Sequence, residues 1–256
     1  MRSFVFTVDD NIRFLKEITE KNSDSIFSHP YLSMLRRLNE RFGVKIQLNL
    51  FYESNGFDLL QMSDRYIKEW QGISNWLKLS FHSKKENEFP YQDSGYKEVY
   101  DDCNAVNTEI LRFAGEASLA STTTIHYCQL TDAGIKAMAD NGVKGLLGLF
   151  GTNEHPMVSY NLSESDAENV RNGAIISIGS ISYAPIDMIV NSVRIEKIED
   201  LLNELTLRDS IRVMIHEQYF YKDYPFYQPD FEKKLETVFN ILSNHGYKSY
   251  FFEELI

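Results

Sequence analysis

An α/β chain closed into a barrel of seven or eight parallel strands is the fold this sequence predicts, and three observations carry the prediction. Strand-like and helix-like stretches alternate along all 256 residues, the rhythm of a parallel sheet rolled into a barrel. Several strand-like stretches stop on side chains that can do chemistry: Asp9 and Asp10, His82, His126 and His216. Finally, an open doubly wound sheet announces itself with a glycine-rich phosphate loop after the first strand. Here Asp9 and Asp10 occupy that position.

The elements follow in order. Phe4-Val5-Phe6-Thr7-Val8 is a strand-forming run that ends in two adjacent carboxylates. Asn11, Ile12, Phe14, Leu15 and Ile18 then open a helix. Residues 31–42 carry an apolar helical stripe (Leu32, Leu35, Leu38, Phe42) stopped by Gly43. Residues 44–51 alternate apolar and polar, which predicts a strand with one polar face. A helix over 63–71 leads to a strand over 76–82 that ends on His82. The polar stretch 83–94 contains Pro90 and reads as a loop longer than a simple connection requires, a lid or wall. A long helix spans 96–113, with Gly115 closing it. The β-branched run Thr122-Thr123-Thr124-Ile125 predicts a strand ending on His126, and Thr131-Asp132 starts the next helix, which Asn141-Gly142 ends.

Residues 144–150 read as another strand, followed by a turn at Gly151 and a loop with His155-Pro156. Between 163 and 194 one short helix, a strand over 174–178 and a further strand over 187–193 are expected. A helix over 197–207 hands over to the strand Ile211-Arg212-Val213-Met214-Ile215-His216. An aromatic loop over 217–229, an amphipathic helix from Asp230 stopped by Gly246, and a last strand over 247–252 complete the chain. No linker or repeat interrupts it, so residues 1–256 are expected to form one domain.

Composition narrows the partners. The chain is 43% hydrophobic and 25% charged, enough for a substantial core. A net charge of −11 and a pI near 5.1 argue against nucleic acid or an anionic membrane, both of which call for a basic surface. Small neutral or cationic ligands remain open. Cys103 and Cys128, on different elements, define neither a disulfide framework nor a cysteine zinc site. No run has the length of a membrane span, and the first strand begins without a basic region, an apolar signal core or a cleavage site, so a cytoplasmic location is expected. Asn161-Leu162-Ser163 fits a glycosylation acceptor, a triplet that arises often by chance.

In a barrel the C-terminal ends of all strands meet at one mouth. Asp9, Asp10, His82, His126 and His216 are therefore expected to converge. The acid pair has two readings: Asp at a strand-to-helix junction caps the helix, or two neighbouring acids share a metal ion or a proton. A single histidine at a strand end is most often structural; three of them beside two acids favour a site.

These residues resemble a known family. Thr7-Val8-Asp9-Asp10 resembles the Thr-Phe-Asp-Asp motif of the polysaccharide deacetylases, the NodB-homology or carbohydrate esterase family, where it ends the first strand of a distorted barrel. Phe81-His82-Ser83-Lys84-Lys85-Glu86 is similar to the family's His-Ser/Thr-x-x-His motif, and Val213-Met214-Ile215-His216 to its last motif, an apolar strand ending in histidine. The resemblance spans nearly the whole chain. It implies a hydrolase that removes acyl groups from a carbohydrate or related small molecule, with Asp9 as general base, Asp10 and His82 as metal ligands and His216 as general acid. The implied cofactor is a divalent cation, zinc first, with cobalt, nickel or manganese as alternatives.

The chain departs from the family twice. Glu86 stands where the second motif has its other histidine, and Thr124-Ile125-His126-Tyr127 stands where an Arg-x-Pro-Tyr motif is expected. His126 is preferred as third ligand because it ends a predicted strand; Glu86, in a polar loop, is the alternative. Two rival readings follow: a barrel that binds sugar or serves a structural role after losing the chemistry, and a metal-free enzyme that moves protons with Asp9 and His216. His216-Glu217 begins like a His-Glu-x-x-His zinc helix, but Phe220 occupies the second histidine position. His29 and His155 precede prolines in expected surface turns, and His245 sits beside a helix-ending glycine. Tyr91, Tyr127, Tyr219, Phe220, Tyr221, Tyr224, Phe226 and Tyr227 crowd the loops after the candidate strands, where rings stack on sugars or simply pack against the barrel.

Overall fold

The structure is a computed structural model that describes residues 2–87, 90–150 and 159–256. Its first half runs β1 (Ser3–Asn11), α1 (Arg13–Lys21), α2 (Pro30–Phe42), β2 (Ile46–Phe51), the hairpin of β3 (Glu53–Ser54) and β4 (Phe57–Asp58), α3 (Ile67–Ile73) and β5 (Leu77–Ser83). Next come α4 (Tyr96–Phe113), β6 (Thr122–Thr123), α5 (Asp132–Asp140), β7 (Gly145–Gly148), α6 (Glu164–Arg171) and β8 (Ile176–Ile178). The last stretch holds β9 (Ile181–Pro185), β10 (Met188–Ile189), α7 (Ile198–Leu205), β11 (Ser210–His216), α8 (Phe231–Asn244) and β12 (Lys248–Ser249).

Every wall strand runs parallel to its neighbours. One sheet has the order β10-β11-β1-β2-β5, and a second continues as β6-β7-β9, with β8 antiparallel on the outer edge of β9. Two seams join them. On one side Leu79 bridges Leu119, and the Ala120 N–H donates to the Leu79 carbonyl at 2.8 Å. On the other the chain itself crosses: residues 181–186 bond to β7, and from Asp187, whose N–H donates to the Arg212 carbonyl at 2.8 Å, the same stretch bonds to β11. The ring thus has seven positions, with β9 and β10 sharing one, as expected for a distorted barrel.

Alternation sorts the side chains of this ring. Phe4, Phe6 and Val8 of β1 face outward into the large core under the helices, where Phe239 of α8 packs edge-on against Phe6 with centroids 5.0 Å apart. Val5 faces inward, with Leu147, Ala184, Met214 and Phe252 in a second apolar cluster that plugs the barrel. Gly145 is required there, since a Cβ would sit 2.7 Å from Phe252 Cε1. Above the plug lies a buried polar belt. Gln47 Nε2 donates to Asn49 Oδ1 (2.8 Å) and to the Thr122 carbonyl (2.8 Å), and Ser80 Oγ donates to Asn49 Oδ1 at 2.5 Å. The polar face expected for residues 44–51 is therefore real but turned inward: all six residues of β2 are buried.

Several expected boundaries shift. The strand over 122–126 shrinks to Thr122–Thr123, because Tyr127 and Cys128 take left-handed backbone (φ 61° and 54°) and pull His126 into a 3₁₀ turn, His126–Cys128. The 63–71 helix is α3, preceded by a 3₁₀ turn at Asp64–Tyr66. Within 174–185 two strands form an antiparallel hairpin around Gly179-Ser180, Gly179 having φ 61°. The strand over 187–193 keeps two residues before the 3₁₀ turn Val190–Ser192, and the last strand keeps Lys248–Ser249 before the turn Phe252–Glu254. His29 is buried rather than in a surface turn: its Nδ1 caps α2 by accepting the Tyr31 N–H at 3.3 Å. The turn at Gly151 and His155 lie outside the described residues.

Candidate metal centre

The end of β1 is irregular, and the irregularity builds the site. In a regular strand adjacent side chains point to opposite faces, so Asp9 and Asp10 cannot both face the mouth. A register shift between Val8 and Asn11, with Asp10 at φ 60°, breaks the alternation. Asn11 secures this bulge: Nδ2 donates back to the Val8 carbonyl (2.5 Å) and across to the Asn49 carbonyl (3.2 Å), while Oδ1 accepts from the Tyr31 hydroxyl (3.0 Å). Both carboxylates consequently line one cleft of about 500 Å³.

Neither acid caps α1. The N-cap residue, Ile12, makes no side-chain cap, and the orphan amides of the first turn are taken instead by Glu217 from the far end of the chain. Its Oε2 accepts from Ile12 (2.8 Å) and Arg13 (3.1 Å), its Oε1 from Phe14 (2.8 Å) and from the Tyr221 hydroxyl. That leaves the acid pair free for chemistry.

Asp10, His82 and His126 come together although they belong to β1, β5 and the turn after β6. Asp10 Oδ1 lies 3.0 Å from His82 Nε2 and 3.3 Å from His126 Nδ1, and the two ring nitrogens are 3.1 Å apart. His82 Nδ1–H donates to the Thr124 carbonyl at 2.5 Å, which fixes the tautomer and leaves Nε2 facing Asp10. Phe51 packs against both imidazoles, with centroids 5.2 and 5.0 Å away. Asp10 Oδ2 accepts from Gln218 Nε2 at 2.7 Å.

Electrostatics follow from burial and these contacts. Burial alone would raise the Asp10 carboxyl, but hydrogen bonds from His126 and His82 hold it well below the usual carboxylate range. Burial likewise works against a charged His82, yet Asp9 and Asp10 prevail and raise it above an ordinary imidazole. Burial lowers His126, and Asp10 offsets only part of that. Asp9, 2% exposed, is raised by burial despite the nearby His82 and His216 and despite a 2.6 Å hydrogen bond from Asn49 Nδ2.

The donor set fits a divalent cation. Ligands at about 2.0–2.2 Å, arranged tetrahedrally or octahedrally, stand about 3.0–3.5 Å from one another, and the three atoms here are separated by 3.0, 3.1 and 3.3 Å. Among the described residues these three form the cluster able to hold such an ion. Glu86, the alternative third ligand, is exposed on the rim of the same cleft and outside the cluster.

His216 stands opposite, at the end of β11 and in register with Asp9. Asn191 Oδ1 accepts from its Nδ1 (2.9 Å) and its backbone N–H (3.2 Å). Asn191 is steadied in turn by Gln228, whose Nε2 donates to its carbonyl at 2.7 Å, and Gln228 Oε1 accepts from the buried Lys234 ammonium at 2.8 Å. Asn49, Asn191, Glu217 and Gln218 were not among the expected site residues. Glu217 and Gln218 directly follow a strand-end histidine, and Asn49 belongs to the polar face of a strand that a barrel must bury; those were the available signals.

No family model and no curated protein matches the chain. Solved structures do. A Mycobacterium smegmatis protein described as a polysaccharide deacetylase aligns over 99% of this chain and 89% of its own, with TM-score 0.60 and 10% identity. A family 4 acetyl xylan esterase from Clostridium thermocellum, in complex with a cobalt ion, aligns over 99% and 90%, with TM-score 0.55 and 12% identity. A 4-α-glucanotransferase from Thermococcus litoralis reaches TM-score 0.61 at 12% identity, over 99% of this chain and 40% of that one. Because the barrel also carries a glucanotransferase, it does not by itself decide the chemistry. What the likeness establishes is the fold: this chain is a deacetylase-like distorted α/β barrel.

Proposed function

We propose that the protein is a metal-dependent hydrolase that removes an acyl group, through an amide C–N or an ester bond, from a carbohydrate, and that it is a divergent member of the polysaccharide deacetylases. One observation carries the reading: Asp10 Oδ1, His82 Nε2 and His126 Nδ1 converge beside a second, uncoordinated carboxylate. Asp10, His82 and His126 would hold the ion, with zinc preferred. A divalent cation bound there supplies Lewis acidity, polarising an acyl oxygen and acidifying a water.

The protein's own groups do the rest. Asp9, dry and more basic than an ordinary carboxylate, takes a proton from the attacking water as its oxygen bonds to the acyl carbon. His216, held through Nδ1 by Asn191, presents Nε2 and protonates the leaving nitrogen or oxygen as its bond to the acyl carbon breaks. The products are a carboxylic acid and a free amine or hydroxyl. Tyr127, Tyr219 and Tyr224 line the cleft, and amphipathic rings of this kind suit the faces of a sugar.

Acid release from acetylated sugars and simple amides tests the reading. The Asp9→Asn variant is expected to keep its metal and lose about a thousandfold in kcat. Unchanged hydrolysis by a metal-loaded Asp9→Asn protein would remove Asp9 as the base. The second reading, a barrel that binds saccharide without cleaving it, is favoured by Glu86 standing outside the ligand cluster. Saccharide binding with no acid release from any acylated substrate would select it.

A further inference from the structure

We propose that Gln218 is a positioning residue that commits Asp10 to the metal triad: its amide takes one carboxylate oxygen so that the other is left for the ion. The proposal rests on Asp10, His82 and His126 being a divalent-cation site. Asp10 needs such a partner. It sits in left-handed backbone at a bulge, where a non-glycine residue is strained. A carboxylate with two equivalent oxygens could also turn about its own bonds or engage an ion through both. Oδ1 already faces the two imidazoles, and Gln218 Nε2 donates to Oδ2 at 2.7 Å.

The direction of this amide is informative. Among the described residues Gln218 Oε1 is buried without a hydrogen-bond partner, while the side chain meets Tyr224 and turns its nitrogen to the aspartate. Flipping the amide would set that oxygen against an anion. A neutral donor also leaves the full negative charge of Asp10 available to a cation, where a lysine would cancel it.

The amide is itself anchored. It lies in the 3₁₀ turn Glu217–Phe220, directly after β11, and that turn is pinned by the Glu217 carboxylate on the first amides of α1. Three consecutive side chains therefore close over the end of β1. His216 faces the cleft, Glu217 fixes the strand-to-helix junction, and Gln218 reaches the ligand between them.

Affinity for cobalt(II), measured by competition with a chromophoric chelator on the full chain stripped of metal, tests this. Partners behind metal ligands are worth 10–100-fold in affinity, so Gln218→Ala and the volume-keeping Gln218→Met should each bind about 10–100-fold more weakly. Circular dichroism should show both variants folded as the parent is; the methionine variant guards against collapse of the alanine one. Parent-like affinity in a folded variant would overturn the role of Gln218 and leave the metal site standing. Failure of the parent itself to bind cobalt or zinc would overturn both.

Discussion

Asp9 and Asp10 differ in what surrounds them rather than in chemistry. Asp10 meets two imidazoles and an amide, which keep it ionised; Asp9 meets one amide within a dry interior, which makes it the more basic of the two. Environments that split two like groups in this way are how acid and base roles are divided. His216 depends in the same manner on Asn191, which holds its ring through Nδ1. Replacing Asn191 by leucine should therefore lower kcat tenfold or more with metal affinity unchanged, measurable by steady-state kinetics beside metal titration. That Asp9, Asp10, His82 and His216 share one cleft is legible in sequence because each sits near the end of an apolar strand. Asn191 and Gln218 are not legible in this way, since an amide that orients another side chain differs in no local way from an ordinary loop amide.

Among the elements, α1 shows how a local rule can be satisfied from a distance. Asp beside a helix start predicts capping, and the cap here is instead Glu217, about two hundred residues away in sequence. Truncating Glu217 to alanine strands two buried amides, the half-buried Arg13 amide and the Tyr221 hydroxyl, and should cost about 2–4 kcal/mol in urea unfolding. The ion pairs of α1 and the start of α2 contribute to the acid limb of stability. Burial raises Glu17, but hydrogen bonds from Lys21 and Arg13 outweigh it and bring the carboxyl down to about 2 from 4.5. Its contribution is thus complete above about pH 4.5 and lost as pH falls towards 2. His29, lowered from 6.5 by burial, begins to cost stability once pH drops below about 6.5, because the unfolded chain takes up a proton that the folded one resists. Urea midpoints should fall as pH drops from about 4.5 towards 3, and Glu17→Gln should flatten that limb while lowering His29 further, because Glu17 opposes the effect of burial on that ring. Long periodic elements such as α4 are legible in sequence. Short ones such as β6, β10 and β12 were overextended, because a β-branched or apolar run does not reveal where neighbouring strands stop pairing.

The whole molecule is a graded cylinder: an apolar plug around Phe252, a belt of buried amides and hydroxyls, then carboxylates and imidazoles at the mouth. Strand-helix alternation foretold the barrel, but not that its closure runs along one continuous stretch from β9 to β10, since only hydrogen bonding across the ring defines that seam. The candidate ligands at the mouth come from β1, β5 and the turn after β6, so an ion there would tie three separated parts of the wall together. Metal content of the purified chain, followed through stripping with a strong chelator and readdition of zinc, tests the central claim most directly. One tightly held divalent ion per chain is expected, with deacylation lost on stripping and restored on readdition, and with no ion held by a His82→Ala protein. Deacylation that survives in the chelator, or a parent chain that takes up no ion at any concentration, would contradict it.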